Sequence, residues 1–358
     1  MTLTKAVVLA QAGTLDPARS VLHPHRTGLP PTSLLPVGNR ALLCHALDWL
    51  AQGGIRETAV VVPHHLLGQA REVVTDGRGP RSVSWVEQLP DESLTHVLGQ
   101  LTGFLDGEPF VLHLSDSLAK QSLRSLILGR AFCDTEALLV VDESREVELA
   151  QVVQLRAAAG GGPARPRPLR NNCAGVAVLG TRTLEWVADL DQDHEHVLEA
   201  LMDRIQQRGG RVGTCGATDW WRFRGGTDAL LEGNRFALDG LRADYDGSQL
   251  SDSTIQGAVI VHPDARINSS VVRGPAIIGA RARLRDAYVG PYTSIGEDVM
   301  VEGAEIEHSL VLPGASISHL GGRLEASVIG PGSRVFRDFR LPRALRLTVG
   351  EGAEVCLT

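Results

Sequence analysis

From Val261 onward the chain repeats itself. Val261, Ile278, Ile295, Leu312 and Ile329 are each 17 residues apart. A second register runs Ile267, Leu284 and Val301, slips by one to Ile317 and returns at Val335; a third runs Val272, Val289 and Ile306. Glycine follows several of these positions, as in Ile278-Gly279, Val289-Gly290, Ile295-Gly296 and Ile329-Gly330. Three apolar positions per 17 residues predict a triangular coil of three short strands, with the branched residue inside and Gly or Asn at the corner. One such coil cannot bury its apolar face, so coils stack. Segments such as Ile295-Gly-Glu-Asp-Val-Met and Ile278-Gly-Ala-Arg-Ala-Arg read as hexapeptide repeats of a left-handed parallel β-helix. A β-sandwich would not hold this spacing through five positions. The 39 glycines in 358 residues fit a fold built from many tight turns.

The first 240 residues carry a different signal, strand and helix patterns in alternation, which predicts a doubly wound parallel sheet. Lys5 to Ala10, Thr58 to Pro63, Ser82 to Gln88, Pro109 to Leu114, Glu136 to Val141 and Arg211 to Cys215 read as strands. Arg40 to Gln52, Leu66 to Val74, Glu195 to Gln207 and Thr227 to Leu241 read as helices. Gly53-Gly54 is the stop signal of the first helix. Ala157 to Arg170, rich in Ala, Gly, Pro and Arg, reads as a loop. The fold class is therefore α/β, a Rossmann-like domain over residues 1–241 followed by a β-helix domain over residues 250–358.

Charge and composition narrow the function classes. A formal net charge of −7 argues against nucleic acid as partner. No apolar run reaches the ~18–20 residues that span a bilayer. The five cysteines, Cys44, Cys133, Cys173, Cys215 and Cys356, form no CxxC pair and support neither a disulfide framework nor a zinc site. The Met1–Ala10 segment reads as a strand rather than a leader, and a cytoplasmic protein is expected. Acyl transfer, common among hexapeptide-repeat proteins, would need a corner histidine facing a neighbouring subunit; His262, His308 and His319 are the available ones.

Local motifs then carry a resemblance across the whole chain. They are Lys5-Ala-Val-Val-Leu-Ala, Ser33-Leu-Leu-Pro-Val-Gly-Asn-Arg40, Gly53-Gly-Ile-Arg56, Phe110-Val-Leu-His-Leu-Ser-Asp116, Trp220-Trp221 with Leu231-Glu-Gly-Asn-Arg235, Val289 to Asp298 and Arg346-Leu-Thr-Val-Gly350. Together they resemble the sugar-1-phosphate nucleotidyltransferases, and most closely the long-form glucose-1-phosphate thymidylyltransferases of antibiotic deoxysugar pathways. The resemblance implies a sugar phosphate attacking the α-phosphorus of a nucleoside triphosphate. That reaction needs glycines for close backbone approach, Arg and Lys for charge, and Mg²⁺ on two aspartates.

Against that pattern the chain departs at several positions. The phosphate loop reads Gln11-Ala-Gly-Thr-Leu15: Gln11 and Ala12 replace glycines, and Leu15 follows Gly13 and Thr14 where the family arginine belongs. Arg19 or Arg26 could reach in from the inserted stretch that follows, though neither sits in the motif. Thr32 takes the place of the family lysine. Gln88 matches the glutamine that reads the pyrimidine, but the loop after it has become Asp91-Glu-Ser93-Leu-Thr95. The helix that holds sugar hydroxyls aligns with Val197 to Leu201 without a matching glutamate. Asp116 matches the first metal aspartate. The second belongs to a Trp-x-Asp-x-Gly motif that here reads Trp221-Arg-Phe-Arg-Gly225, with Phe223 at the aspartate position.

Three readings follow. The first is a non-catalytic homologue, with no cofactor, that forms a homo-oligomer or pairs with a related nucleotidyltransferase, as degenerate subunits do in ADP-glucose and GDP-mannose pyrophosphorylases. The second is a repurposed enzyme with a more apolar pocket at Trp221 and Phe223 for a small-molecule ligand, using acid/base groups drawn from Asp16, Arg19, His23, His25, Asp91, Glu92 and Asp116. The third is a still-active thymidylyltransferase, which alone would require Mg²⁺. For the two catalytic readings, Asp116, Arg19 and His23 are the candidate catalytic residues. Gln11, Gly13, Thr14, Thr32, Gln88, Ser93, Trp221 and Phe223 are the candidate pocket residues.

Overall fold

The computed structural model describes residues 3–10, 30–74, 82–89, 92, 94–128, 135–142, 173–186 and 197–337. These fall into two compact units, one of residues 3–10, 30–36 and 40–223 and one of residues 37–39 and 224–337.

The strands up to Arg222 are β1 (Lys5–Leu9), the two-residue β2 (Pro36–Val37) and β3 (Arg40–Ala41), β4 (Glu57–Pro63), β5 (Ser82–Gln88), β6 (Phe110–His113), β7 (Ser117–Ala119), β8 (Ala137–Asp142), β9 (Cys173–Leu179), β10 (Val212–Ala217) and β11 (Trp220–Arg222). Among the described residues seven of them build one sheet in the order β10-β8-β9-β6-β1-β4-β5, while β7 pairs with β11 and β2 with β3. β1 pairs in parallel with β4 and β6, and β8 with β10. The sheet is mixed rather than wholly parallel, because β9 runs antiparallel to both β6 and β8. Sequence reading passes over β9: its continuous apolar run, Cys-Ala-Gly-Val-Ala-Val-Leu, has neither the period of two nor the period of 3.6.

Successive β1 side chains point to opposite faces, so Ala6 and Val8 enter one apolar core and Val7 and Leu9 another. The helix Leu42–Gln52 covers the first face through Leu43, Leu47 and Leu50. The helix Val197–Gln207 covers the second through Leu198, Leu201 and Ile205. Gly53-Gly54 ends the earlier helix as expected. Gly54 turns into the left-handed region at φ 96°, and the Ile55 amide closes back onto the Leu50 carbonyl at 3.0 Å.

The second unit contains the β-helix, three all-parallel sheets of six, five and five described strands. The column Ile267, Leu284, Val301, Ile317, Val335 is in register throughout, as is Val272, Val289, Ile306. The first column needs one correction. Ile295 pairs with Val311, not Leu312, and Val311 with Ile329, so the one-residue slip seen at Ile317 runs through this column too. Leu310, Val311 and Leu312 are consecutive and all buried, which hides the slip from apolar spacing.

The corners also differ from expectation. One corner column holds Asp252, Ser269, Asp286, Gly303 and His319, all with φ between 45° and 56°, so short polar side chains take most of the left-handed positions. At another corner, Gly279 and Gly296 are needed for closeness. A Cβ on either would come within 2.7–2.8 Å of the next coil's backbone.

Candidate functional site

Asp116 lies just beyond the C-terminal end of β6, and three hydrogen bonds fix the turn that carries it. Ser115 has φ 52°, a conformation that costs a non-glycine residue strain. Its Oγ donates to the Leu9 carbonyl at 2.7 Å and lies 2.7 Å from the Ser33 hydroxyl, while its amide donates to His113 Nδ1 at 2.8 Å. His113 is buried, with Trp49 edge-on against its ring at 5.8 Å. Burial first, and the Arg222 charge second, push its pKa down to about 3, so the ring is neutral and its Nδ1 accepts.

β11 returns antiparallel to β7, placing Arg222 opposite Ser117, and the Phe223 amide donates to the Asp116 carbonyl at 2.8 Å. Arg222 bends back: its Nε donates to Asp116 Oδ2 at 2.8 Å and its Nη1 to the Cys173 carbonyl at 3.1 Å. The two side chains are only 9% and 5% exposed. Burial works against the guanidinium's charge, but the Asp116 carboxylate beside it, with Glu199 contributing, holds its pKa above the ordinary arginine value. The other Asp116 oxygen, Oδ1, is buried with no hydrogen-bond partner and lies over Gly175. A Cβ there would stand 2.4 Å from Oδ1, and Gly175 has φ 80°. It sits in β9 beside a register shift between Leu139 and Val141 of β8, the kind of irregularity that re-aims side chains near sites.

The aromatic side chains that follow on β11 and just beyond it are buried. Trp221 and Phe223 are buried with ring centroids 6.2 Å apart, and Trp221 Nε1 has no hydrogen-bond partner. Trp220 belongs to the core, edge-on to Trp49 at 5.4 Å and bonded to the Ala174 carbonyl. The Cys173 thiol is pushed up to about 12, mainly by burial against the opposing pull of Arg222.

The structure brings Asp116 and Phe223 together, with Thr32 buried one residue before Ser33. Gln88 is not with them. It ends β5, three strands from β6 in the sheet, a separation of about 14 Å at ~4.8 Å per strand, and its Nε2 donates to the Glu92 carbonyl at 3.1 Å. Gln11, Gly13, Thr14, Arg19, His23 and Ser93 lie outside the described residues, as do Ala157 to Arg170 and Arg346 to Gly350. Two residues escaped the sequence reading. Arg222 was visible only as the variable position of the Trp-x-Asp-x-Gly motif. Glu199 lies within Val197 to Leu201, the segment expected to bring no matching glutamate; it is buried in the first turn of its helix and close enough to Arg222 to raise that pKa.

No family model matches the chain. A glucose-1-phosphate thymidylyltransferase of Streptomyces griseus is 31% identical over 361 residues, 97% of this chain and 98% of that protein. The chain belongs to the sugar-1-phosphate nucleotidyltransferase family. A low-salt glycan biosynthesis nucleotidyltransferase of Haloferax volcanii is 28% identical and a glucose-1-phosphate thymidylyltransferase of Streptomyces antibioticus 26%, each over 98% of this chain and 99% of the relative.

The nucleotidyltransferase resemblance implies a divalent cation held by two aspartates, and the described residues do not fit it. One oxygen of Asp116 is taken by a guanidinium, whose charge repels a cation at that carboxylate. The second aspartate's position holds a buried phenyl ring. Among the described residues no group of three or more His, Cys, Asp and Glu is arranged to hold a metal ion. No described helix is long and apolar enough to cross a membrane.

Proposed function

We propose that this nucleotidyltransferase-family protein does not synthesise sugar nucleotides and serves as a non-catalytic partner in a biosynthetic pathway. The observation that carries this is the buried Arg222–Asp116 pair, 2.8 Å long, at the position the resemblance assigns to a metal. A carboxylate already neutralised by a fixed cation has little charge left for Mg²⁺, and Phe223 supplies none. Loss of charge stabilisation at a transferring phosphate costs orders of magnitude in rate. The repeat columns of the β-helix meanwhile keep their apolar residues, which suits a protein retained for what it binds rather than for what it turns over.

The test is pyrophosphate release from dTTP, glucose-1-phosphate and Mg²⁺, with the Streptomyces griseus relative assayed alongside. The expected result is release at the no-enzyme background. Turnover within tenfold of that relative would refute the proposal.

A further inference from the structure

Several arginines on the outside of the β-helix meet carboxylates of a neighbouring coil. Arg281 pairs with Asp298 and Glu297, and Arg323 with Glu305 and Glu307. One sheet departs from this. On its strands Arg266–Asn268 and Arg283–Arg285, Arg266 stands in register with Arg283, and Asn268 with Arg285. Like charges directly opposite each other on neighbouring strands repel, and here they do so in a chain whose net charge is −7.

The fold does not answer that repulsion. Arg266 donates from Nη1 to the Pro263 and Ala265 carbonyls at 3.2 and 2.8 Å, which holds its guanidinium without neutralising it. Among the described residues Arg283 makes no hydrogen bond and no ion pair. The carboxylates nearby are engaged with other groups. Asp298 accepts from Arg281 through both oxygens, at 2.8 and 2.7 Å. Asp264 lies 3.7 Å from His262, and Glu302 lies 3.5 Å from Arg285. Arg266, Asn268, Arg283, Arg285, Met300 and Glu302 line a hollow of about 410 Å³. Three cations share it with one carboxylate, and Met300 beside them is exposed.

We propose that this hollow is an anion site of the second unit, taking the phosphoryl group of a small phosphorylated metabolite. Neighbouring strands stand ~4.8 Å apart, so the guanidinium forks of Arg266 and Arg283 can grip oxygens of one phosphoryl group. Arginine suits this role because its planar donors match phosphate oxygens two at a time. The Asn268 amide and Arg285 extend the donor set, and Met300 offers an apolar shelf to the uncharged part of the ligand. A bound dianion turns the repulsion between the two arginines into a shared attraction. The site is built from the β-helix alone, so the inference holds whether or not Asp116 binds a metal.

Isothermal titration calorimetry of the full chain with inorganic phosphate, in low salt with EDTA, tests it. The wild type is expected to bind phosphate saturably, and Arg266→Gln and Arg283→Gln should each weaken binding about tenfold or more. Arg283→Lys, which keeps the charge but not the fork, should fall between the wild type and Arg283→Gln. Arg323→Gln, in a different sheet, should bind as the wild type does. Without phosphate, Arg283→Gln should melt no lower than the wild type, which separates lost binding from lost folding. Sedimentation with vesicles of phosphatidylcholine and phosphatidic acid tests the source of the phosphoryl group. The protein is expected to stay in the supernatant, and Arg283-dependent pelleting would overturn a soluble metabolite in favour of a lipid headgroup. No saturable phosphate binding, or binding that Arg283→Gln leaves unchanged, would overturn the site itself.

Discussion

The Arg222 guanidinium donates from Nε to Oδ2 of Asp116 at 2.8 Å, and solvent reaches almost none of either side chain. Removing one partner of a buried pair leaves the other charge desolvated and alone, which typically costs about 3–5 kcal/mol, whereas replacing both by apolar groups is often neutral. Arg222→Met is therefore expected to destabilise the fold by that amount in urea denaturation. Arg222→Met combined with Asp116→Leu should regain most of the loss. Strict additivity of the two single changes would contradict this coupling.

The pair also depends on an absent side chain. Gly175→Ala would set a methyl 2.4 Å from Asp116 Oδ1 on a backbone at φ 80°. The backbone strain alone is about 1–3 kcal/mol, and expulsion of the carboxylate adds to it. Gly68→Ala is the control, since a Cβ there meets nothing within 4 Å and the site is helical. It should be neutral or stabilising by about 1 kcal/mol or less. Equal melting temperatures for the two variants would count against the cradle.

The sequence was informative where a physical demand recurs and silent where one residue acts through space. Each β-helix coil must bury the same three positions, so Ile267, Leu284 and Val301 announce the fold. Leu310 to Leu312, apolar throughout, conceal which residue points inward. Asp116 and Phe223 were legible because each stands in a local motif. Arg222 was not, because its meaning comes from bending back to a carboxylate 106 residues away. Gly175 needed β9 and its bulge to be known first, and Glu199 needed the helix packed against β9 and β8.

His113 makes stability fall in acid. Folded, its pKa is about 3, against 6.5 for the ordinary ring. Below about pH 6.5 the unfolded chain therefore binds a proton that the folded chain refuses. The stability this group contributes is complete above that pH and is lost progressively towards pH 3, at up to about 1.4 kcal/mol per unit. His113→Asn, which keeps an acceptor for the Ser115 amide, should flatten the fall in unfolding free energy between pH 6.5 and 4. An unchanged slope would show that the ring is not held neutral.

Cys173 should be inert in the native protein. Its thiol is buried and its pKa lies near 12, so almost no thiolate exists at pH 8. Alkylation followed by peptide mass analysis is expected to leave Cys173 unmodified until urea unfolds the chain. Native labelling at the rate of a free peptide thiol would mean that this side of Arg222 is open.

Manganese binding at Asp116 tests the central claim most directly, because it reads the metal position without requiring turnover. Electron paramagnetic resonance of Mn²⁺ titrated into the full-length protein with dTTP should match the titration of dTTP alone, and Asp116→Asn should change nothing. Rebuilding the position with Arg222→Leu and Phe223→Asp should create a bound-Mn²⁺ signal. Stoichiometric binding by the wild type that disappears in Asp116→Asn would contradict the account.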